Sequence, residues 1–404
     1  MWAYFKFELV QFFTNKKNIA IYVLLLFAAL FYAIKIAPAY DPIEQVDADE
    51  IEARYLTRET FINDMAGKNL RFAHPSVRLA LQIFNELNPL DLERLEALEK
   101  GDLQKYAATT SDWYYITNSY THNSGSLFYN PRYYAYGSQY ADDDAYYAYL
   151  ETGKRYEEFA KADYELSINL FEQRTAWQTI ERLMTGVLPI VLIVCALLLA
   201  VDVVTKDRLH PTLLKGFPIA DWKKLLVKGF VAFVGSLVLF VPLAVGFLII
   251  GVQFGFGHLD IPVPQYIVDY KVQQKQGIFT VISLGAFLGQ CIQLLLLWFM
   301  AIIAIVLLCS VVLRNEVINL GIGLVIIFAE YFYFSRGIGF LWDIEKYPTS
   351  YIQIGQVVSK IRNFYYNSDA MAAQLGMKLL AIYIVVMLVI TLGISLNKRF
   401  KLVK

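Results

Sequence analysis

The chain has 404 residues, of which 57% are hydrophobic and 18% charged, so it carries more apolar surface than one soluble core would bury. Its formal net charge is zero, but residues 39–176 contain 24 acidic and 13 basic side chains, a net charge of −11. The rest of the chain carries the balancing net charge of +11. This division excludes a single soluble domain and predicts two parts in different environments, with no nucleic-acid partner.

Residues 1–17 predict an amphipathic helix at a membrane surface. In a helical arrangement one face carries the apolar side chains Trp2, Phe5, Leu9, Phe12 and Phe13. The polar side chains of Lys6, Glu8 and Gln11 point away from that face. A helix with these two faces lies in the plane of the interface, so we expect it at the cytoplasmic surface of the membrane.

Six apolar runs follow, each long enough to cross a hydrocarbon layer of about 30 Å at about 1.5 Å per helical residue. They predict an all-α polytopic membrane protein with transmembrane helices at approximately Asn18–Ala37, Leu183–Val203, Leu225–Phe254, Gly277–Leu313, Val317–Ser335 and Met377–Leu396. Helix 1 then occupies residues 18–38, an extracytoplasmic domain 39–176 and the transmembrane domain 177–404. An alternative for the first run is a cleaved signal peptide ending in Ala37–Ala39.

Basic residues in the short loops predict the orientation of the chain. If there are six spans, all of these residues fall on one side: Lys16, Lys17, Lys206, Arg208, Lys215, Lys223, Lys224, Lys228, Arg314, Lys398, Arg399, Lys401 and Lys404. By the positive-inside rule that side is the cytoplasm, and both termini are cytoplasmic. We therefore expect a multi-pass protein of the cytoplasmic membrane, in a Gram-positive bacterium.

The outer domain, residues 39–176, reads as mostly helical. Its clearest local signal is a leucine-rich segment with Pro89 near a helix start and Gly101 as the helix stop. A tyrosine-dense segment follows, and two interpretations are open: an aromatic surface for a ligand, or rings that pack a small core, which we favour. Three adjacent aspartates, Asp142–Asp144, suggest either a cation site or, in our preferred interpretation, the start of a helix.

Catalytic motifs are missing from the sequence, so we expect no enzyme. The four histidines are scattered, the three cysteines lie in predicted spans, and no Gly-x-x-x-x-Gly-Lys-Ser/Thr loop is present. The chain is therefore expected to hold no cofactor; if ATP and Mg²⁺ are used, a separate subunit binds them. Polar residues within spans are candidate pathway groups: Glu330, Gln290 and Gln293. The alternatives are interhelical hydrogen bonds for the glutamines and outward snorkelling of Glu330 near Arg336.

The loop at residues 204–224, between the second and third runs, encodes a short helix. Pro211 suits its first position and Gly216 the position after its last, while Pro218 prevents its continuation. Leu213 and Leu214 then project from a collar of basic residues. This arrangement favours docking into a groove of a partner, although a loop lying on anionic lipid headgroups is the alternative.

This loop resembles the first cytoplasmic loop of type-2 permeases of ATP-binding cassette (ABC) exporters. The matching residues are Asp207-Arg208, Thr212-Leu213, Pro218 and Lys228, whereas Pro211 stands where the family usually has glycine. The layout is also similar, including an outer segment at residues 336–376. The resemblance implies a homodimer or heterodimer of permeases bound to two ATPase subunits. Coupling would then be assigned to Asp207, Arg208, Thr212, Leu213, Leu214 and Pro218, and the substrate to a peptide, an antibiotic or a lipid.

Two other functional classes fit parts of the sequence. A membrane-embedded sensor, immunity protein or scaffold would use the outer domain for binding, but six spans exceed what an anchor needs. A secondary transporter would show internal repeats and interrupted spans with midplane charges, and the sequence contains no convincing repeat. Dependence on a separate ATPase distinguishes an exporter subunit from both.

Overall fold

The computed structural model describes residues 1–43, 45–123, 125–133, 139–206, 219–268 and 277–396. The N-terminal helices are α1 (Trp2–Phe13) and α2 (Lys16–Phe31), and α2 continues as a π-helical segment over Tyr32–Ile36. The outer domain comprises α3 (Ala48–Met65), α4 (Pro75–Lys100), α5 (Leu103–Asn118), α6 (Ala141–Phe159) and α7 (Ile168–Phe171). The remaining elements are α8 (Ala176–Thr185), α9 (Leu188–Ala200), α10 (Asp221–Val238), α11 (Phe240–Phe254), β1 (Pro262–Val268), β2 (Gly277–Ser283), α12 (Leu284–Val312), α13 (Glu316–Ile327), α14 (Ala329–Tyr333), α15 (Ile354–Val358), α16 (Ile361–Tyr366) and α17 (Ala373–Ser395).

Four helical segments in the described ranges are long and apolar enough to cross a membrane. They are Lys16–Ile36, Asp221–Phe254, Leu284–Val312 and Ala373–Ser395. A fifth arises if α7–α8 and α9 are counted as one bent pair, and α13 is apolar but only 12 residues long. The chain therefore has the apolar helices of a multi-pass membrane protein, whereas the six predicted spans are not all continuous.

The second predicted span is bent rather than straight. We expected a helix from Leu183 onward, but α8 ends at Thr185 and α9 begins at Leu188, with an angle of 70° between the two helical segments. Gly186 has a non-helical ψ of −137°, and Pro189, in the first turn of α9, has no backbone N–H to continue the helix. The apolar run hides this bend because hydropathy does not record backbone direction.

A two-stranded hairpin makes the all-α expectation wrong for part of the chain. Residues 277–283, predicted to begin the fourth span, form β2, which pairs antiparallel with β1 so that Tyr266 lies opposite Phe279. The segment is rich in β-branched and aromatic residues, which favour strands, and it is apolar enough to merge with the helix that follows. Ser283 ends the strand and caps α12, its side chain accepting a hydrogen bond from the Ala286 N–H at 3.2 Å.

Helix α4 shows where local signals in the outer domain succeeded and failed. Gly101 ends the helix with a φ of +69°, a conformation that glycine adopts without steric cost, so the predicted stop is confirmed. The predicted start near Pro89 is wrong, because the helix begins at Pro75 after the cap His74 and Pro89 lies in its interior. Pro75 occupies the first position of the helix, where we expected Pro89.

The tyrosine-rich part of the outer domain forms packed aromatic contacts. The ring of Tyr149 lies 5.3 Å from that of Tyr114, 5.0 Å from that of Tyr129 and 4.7 Å from that of Tyr133, measured between centroids. Tilted and edge-on arrangements of this kind stabilise a core beyond the area they bury. The packing interpretation is therefore confirmed for these rings.

The three adjacent aspartates start a helix, as preferred. Asp142, Asp143 and Asp144 occupy the first turn of α6, where their charge is favourable to the helix dipole. Asp144 also pairs with Arg336, with 2.7 Å between Oδ1 and Nη2. Among the described residues no group of three or more potential ligands could hold a metal ion.

The hairpin attaches the outer domain to the long apolar helices. Tyr147 of α6 lies 5.7 Å from the ring of Tyr266, 5.1 Å from that of Phe279 and 4.9 Å from that of Phe364. The side chain of Gln265 donates to the Val358 carbonyl at 2.7 Å. One aromatic cluster thus joins the outer domain, the hairpin and the segment that precedes α17.

Candidate coupling and transport sites

All six residues assigned to coupling lie outside the described part of the chain. Asp207, Arg208, Thr212, Leu213, Leu214 and Pro218 fall within residues 207–218, between the two described ranges that end at Lys206 and resume at Ile219. Their role remains a prediction from the sequence. What the structure describes is the anchoring of the chain on both sides of this loop.

Before the loop, an ionic contact ties the end of α9 to the start of α2. Lys17 Nζ donates to Asp202 Oδ1 at 2.5 Å and to the Leu198 carbonyl at 2.5 Å. Asn15, the cap of α2, donates from Nδ2 to the other carboxylate oxygen of Asp202 at 3.2 Å. Lys17 was predicted only as a topology signal, and its charge in fact holds two helix ends together.

After the loop, a fully buried ion pair ties α10 to α1. Lys228 Nζ lies 2.8 Å from Glu8 Oε1, and both side chains are at most 1% exposed. The same ammonium donates to the Val203 carbonyl at 3.0 Å. Three separate segments therefore meet at one lysine, and the chain immediately before the loop is bound to the helix that follows it.

Helix α1 packs against the rest of the protein through the face that carries Glu8. Its buried face is formed by Tyr4, Glu8 and Phe12, whereas Trp2, expected on the apolar face, is 67% exposed. Phe12 packs so closely on α10 that a Cβ at Gly235 would stand 2.2 Å from its Cε1 atom. Glu8 is the only acidic residue among the first 40, which is the one sequence signal that it has a special role.

Glu330 also lies in a buried polar cluster. Its carboxylate accepts a hydrogen bond from Tyr366 Oη at 2.6 Å, and its Oε1 is 3.2 Å from Arg362 Nη1. The expected snorkelling toward Arg336 is wrong, since Glu330 is only 2% exposed and Arg336 pairs with Asp144 instead. The neighbour Arg362 comes from the predicted outer segment and carries no signal that would have identified it.

The two glutamines of α12 differ from Glu330. Gln290 is half-buried and Gln293 is exposed, and neither makes a hydrogen bond with a described residue. The expected interhelical hydrogen bonds are therefore not formed within the described chain. An exposed amide on an apolar helix is costly in hydrocarbon unless water or another protein reaches it, so Gln293 remains a candidate for a path or a contact with a second subunit.

The cavities between the long helices are apolar and are lined by other residues. One of about 370 Å³ lies between α10, α12 and α17, with Phe230, Met300 and Leu388 in its wall. Another of about 250 Å³ lies between α8, α9, α11 and α12. Neither cavity is lined by Glu330 or by the two glutamines, so the structure does not bring the three predicted pathway residues together around either space.

Comparison of the chain with protein-family models, with curated proteins and with solved structures found no match. An assignment to the exporter family therefore depends on the loop motif and on the order of the segments.

Proposed function

We propose that the chain is the permease subunit of an ABC exporter in a cytoplasmic membrane. It would move a peptide, antibiotic or lipid with energy from ATP, and Mg²⁺ and the nucleotide would be bound by a separate ATPase, in two copies. The permease would function as a homodimer or heterodimer. In this proposal Gln293, exposed on α12, faces the second permease or the substrate path, and the loop 207–218 contacts the ATPase.

The observation that carries the proposal is the double anchoring of that loop. Asp202, before the loop, is bound to Lys17, and Lys228, after it, is bound to Glu8 and to the Val203 carbonyl. A permease must transmit a displacement of its cytoplasmic loop to several helices at once. The buried Lys228–Glu8 contact suits that task, because breaking a buried pair costs about 3–5 kcal/mol and the joined segments therefore move together. The partly exposed Lys17–Asp202 contact contributes less.

The proposal includes six spans with both termini in the cytoplasm, and this topology predicts which surface positions are accessible. In a variant without cysteines, single cysteines at Phe128 and Asp343 should react with an impermeant thiol reagent in intact cells. Both side chains are well exposed. Cysteines at the exposed positions Lys6 and Glu316, which this topology assigns to the cytoplasm, should react only after the cells are opened. Reaction of Lys6→Cys or Glu316→Cys in intact cells would contradict the topology.

The coupling assignment predicts a large effect of charge at Leu213 and Leu214. The double variant Leu213→Asp/Leu214→Asp should lose at least about tenfold in ATP hydrolysis and transport, since burying unpaired charge in a contact costs several kcal/mol. The measurement uses the full chain purified from its own host with the associated ATPase and reconstituted in nanodiscs. Asp207→Ala and Arg208→Ala should lose less if this pair only orients the loop, because a surface ion pair contributes about 1 kcal/mol or less.

The matched control is Leu213→Ser/Leu214→Ser, which removes the apolar surface without adding charge. An apolar contact with an ATPase predicts a clear loss in this variant, whereas a loop that lies on lipid headgroups predicts little change. A double-serine variant with normal ATPase binding and transport would refute the coupling assignment. Transport by a chain that purifies and works without any ATPase would instead favour a secondary transporter.

A further inference from the structure

The outer domain contains a polar cavity that the proposed transport function does not use. Its volume is about 260 Å³, and it lies between α3, α4, α5, α6 and the segment that leads into α3. Charged and aromatic side chains line it, among them Asp47, Glu50, Arg54, Arg94, Trp113 and Tyr149. This volume is just below the range of about 300–1,000 Å³ typical of ligand pockets, so a ligand must be small.

One side of the cavity carries an excess of positive charge. Behind it, the fully buried Asp91 accepts from three arginines: Arg54 Nε at 3.0 Å, Arg58 Nη1 at 2.7 Å and Arg94 Nη1 at 3.1 Å. One carboxylate cannot neutralise three guanidinium groups, so two positive charges remain uncompensated by Asp91. Burial lowers the pKa of Arg58, Asp91 opposes that shift, and the like charges of Arg54 and Arg94 add to it.

Of these arginines, Arg54 has N–H groups at Nη1 that can donate to a ligand in the cavity. Its Nε and Nη2 atoms bind Asp91, whereas Nη1 makes no hydrogen bond with a described residue. Arg94, by contrast, is engaged by Asp91, Thr110 and Tyr106 and contributes charge rather than free donors. Arg54 is therefore the residue that can bind an anionic group of a ligand directly.

The opposite sign of charge lies at the entrance. Asp47 and Glu50 line the same cavity, and the Glu50 side chain is 69% exposed. Glu50 Oε1 forms an ion pair with Arg54 Nη1, and the 3.6 Å between the two atoms is longer than a hydrogen bond. The cavity thus presents a cationic wall and an anionic entrance a few ångströms apart.

Aromatic rings complete the walls. The centroid of the Trp113 indole lies 5.0 Å from the Arg54 guanidinium carbon and 5.3 Å from that of Arg94, and Tyr149 also lines the cavity. Trp113 Nε1 is buried and has no hydrogen-bond partner among the described residues. This atom has no accessible surface at the cavity, so Trp113 contributes its ring to the wall rather than a hydrogen-bond donor.

We propose that this cavity binds a zwitterion of the size of a free α-amino acid, with an apolar or aromatic side chain. The carboxylate would bind Arg54 Nη1, and the ammonium would face Glu50 and Asp47. The side chain would pack on the tyrosine rings. A lone anion would leave the acidic entrance unmatched and a lone cation would oppose the arginines, whereas a zwitterion matches both. This proposal does not depend on ATP-driven export.

The test compares three probes of one shape by calorimetry on the full chain in nanodiscs. L-phenylalanine carries both charges, 3-phenylpropanoate lacks the ammonium and phenethylamine lacks the carboxylate. L-phenylalanine should bind saturably, and each truncated probe should bind at least about tenfold more weakly, since each leaves one charged group of the cavity unmatched. Equal binding of the three probes, tighter binding of either truncated probe, or no saturable binding of L-phenylalanine would overturn the proposal.

Two variants assign the roles of the charged residues. Arg54→Gln should weaken the binding of L-phenylalanine at least about tenfold but should not weaken that of phenethylamine, whose charge Arg54 repels. Glu50→Gln should weaken the binding of L-phenylalanine but not that of 3-phenylpropanoate. Glu50 is exposed, so its variant remains informative if Arg54→Gln unfolds. Arg71→Gln, at an exposed arginine outside the cavity, is the matched control and should change nothing. An Arg71→Gln effect as large as that of Arg54→Gln would show non-specific binding and refute the site.

Discussion

Replacing Lys228 by methionine should lower the free energy of unfolding by about 3–5 kcal/mol, because the Glu8 carboxylate then stays buried without its cation. Lys228 is fully buried and also donates to the Val203 carbonyl. Glu8→Leu should cost a similar amount for the converse reason. The measurement is equilibrium unfolding of the full chain in mixed micelles, followed by circular dichroism.

The double variant Glu8→Leu/Lys228→Met distinguishes an ion pair from two independent contacts. It should recover most of the loss, since apolar side chains of similar volume often replace a buried pair at little cost. A residual loss of about 1 kcal/mol is expected from the Val203 carbonyl, which loses its donor. Lys6→Met, at an exposed lysine of the same helix, should change stability by less than about 0.5 kcal/mol. Additive losses in the double variant would contradict a paired interaction.

Replacing Asp91 by asparagine should increase the population of the open, unfolded form of the outer domain more than a substitution on the surface of that domain would. The carboxylate is fully buried and is the common acceptor of Arg54, Arg58 and Arg94, so its neutralisation leaves three cations facing one another. We expect a loss of about 3–5 kcal/mol, which corresponds to roughly a hundredfold or more in the population of the open domain. Hydrogen exchange of α3, α4 and α5 in the intact chain measures that population.

The control is Asp112→Asn on the exposed side of α5, which should leave the exchange of all three helices unchanged. If hydrogen exchange in the Asp91→Asn variant becomes faster only at the ends of α3, the arginines are held by their other contacts, above all by the Trp113 ring. In that case the Asp91 carboxylate would not be the main contribution to the stability of this part of the domain. The same substitution should abolish any ligand binding at the adjacent cavity, whose cationic wall Asp91 positions.

Local chemistry determined much of the fold without reference to distant residues. Apolar runs identified the helices of membrane length, since spanning requires continuous apolar sequence and nothing from elsewhere in the chain. Gly101 ended α4 because only the backbone at that residue decides whether a left-handed turn is possible. The aspartates of α6 also act locally, because their charge is favourable in the first turn of a helix. Mistakes arose where a strand or a bend lay inside an apolar run, as at Gly186 and β2.

The charged sites were decided by the tertiary structure. Lys228 lies 220 residues from Glu8 along the chain, Arg362 lies 32 from Glu330, and Arg54 lies 37 from Asp91. Amphipathic patterning reads neighbours at helical spacing and places a charge on the solvent side by default, as it did for Glu8. A buried charge is stable only where packing brings an opposite charge within a few ångströms. The sequence by itself therefore determined the apolar helices and the charged outer domain, and the packing of distant segments decided which charges are buried and paired.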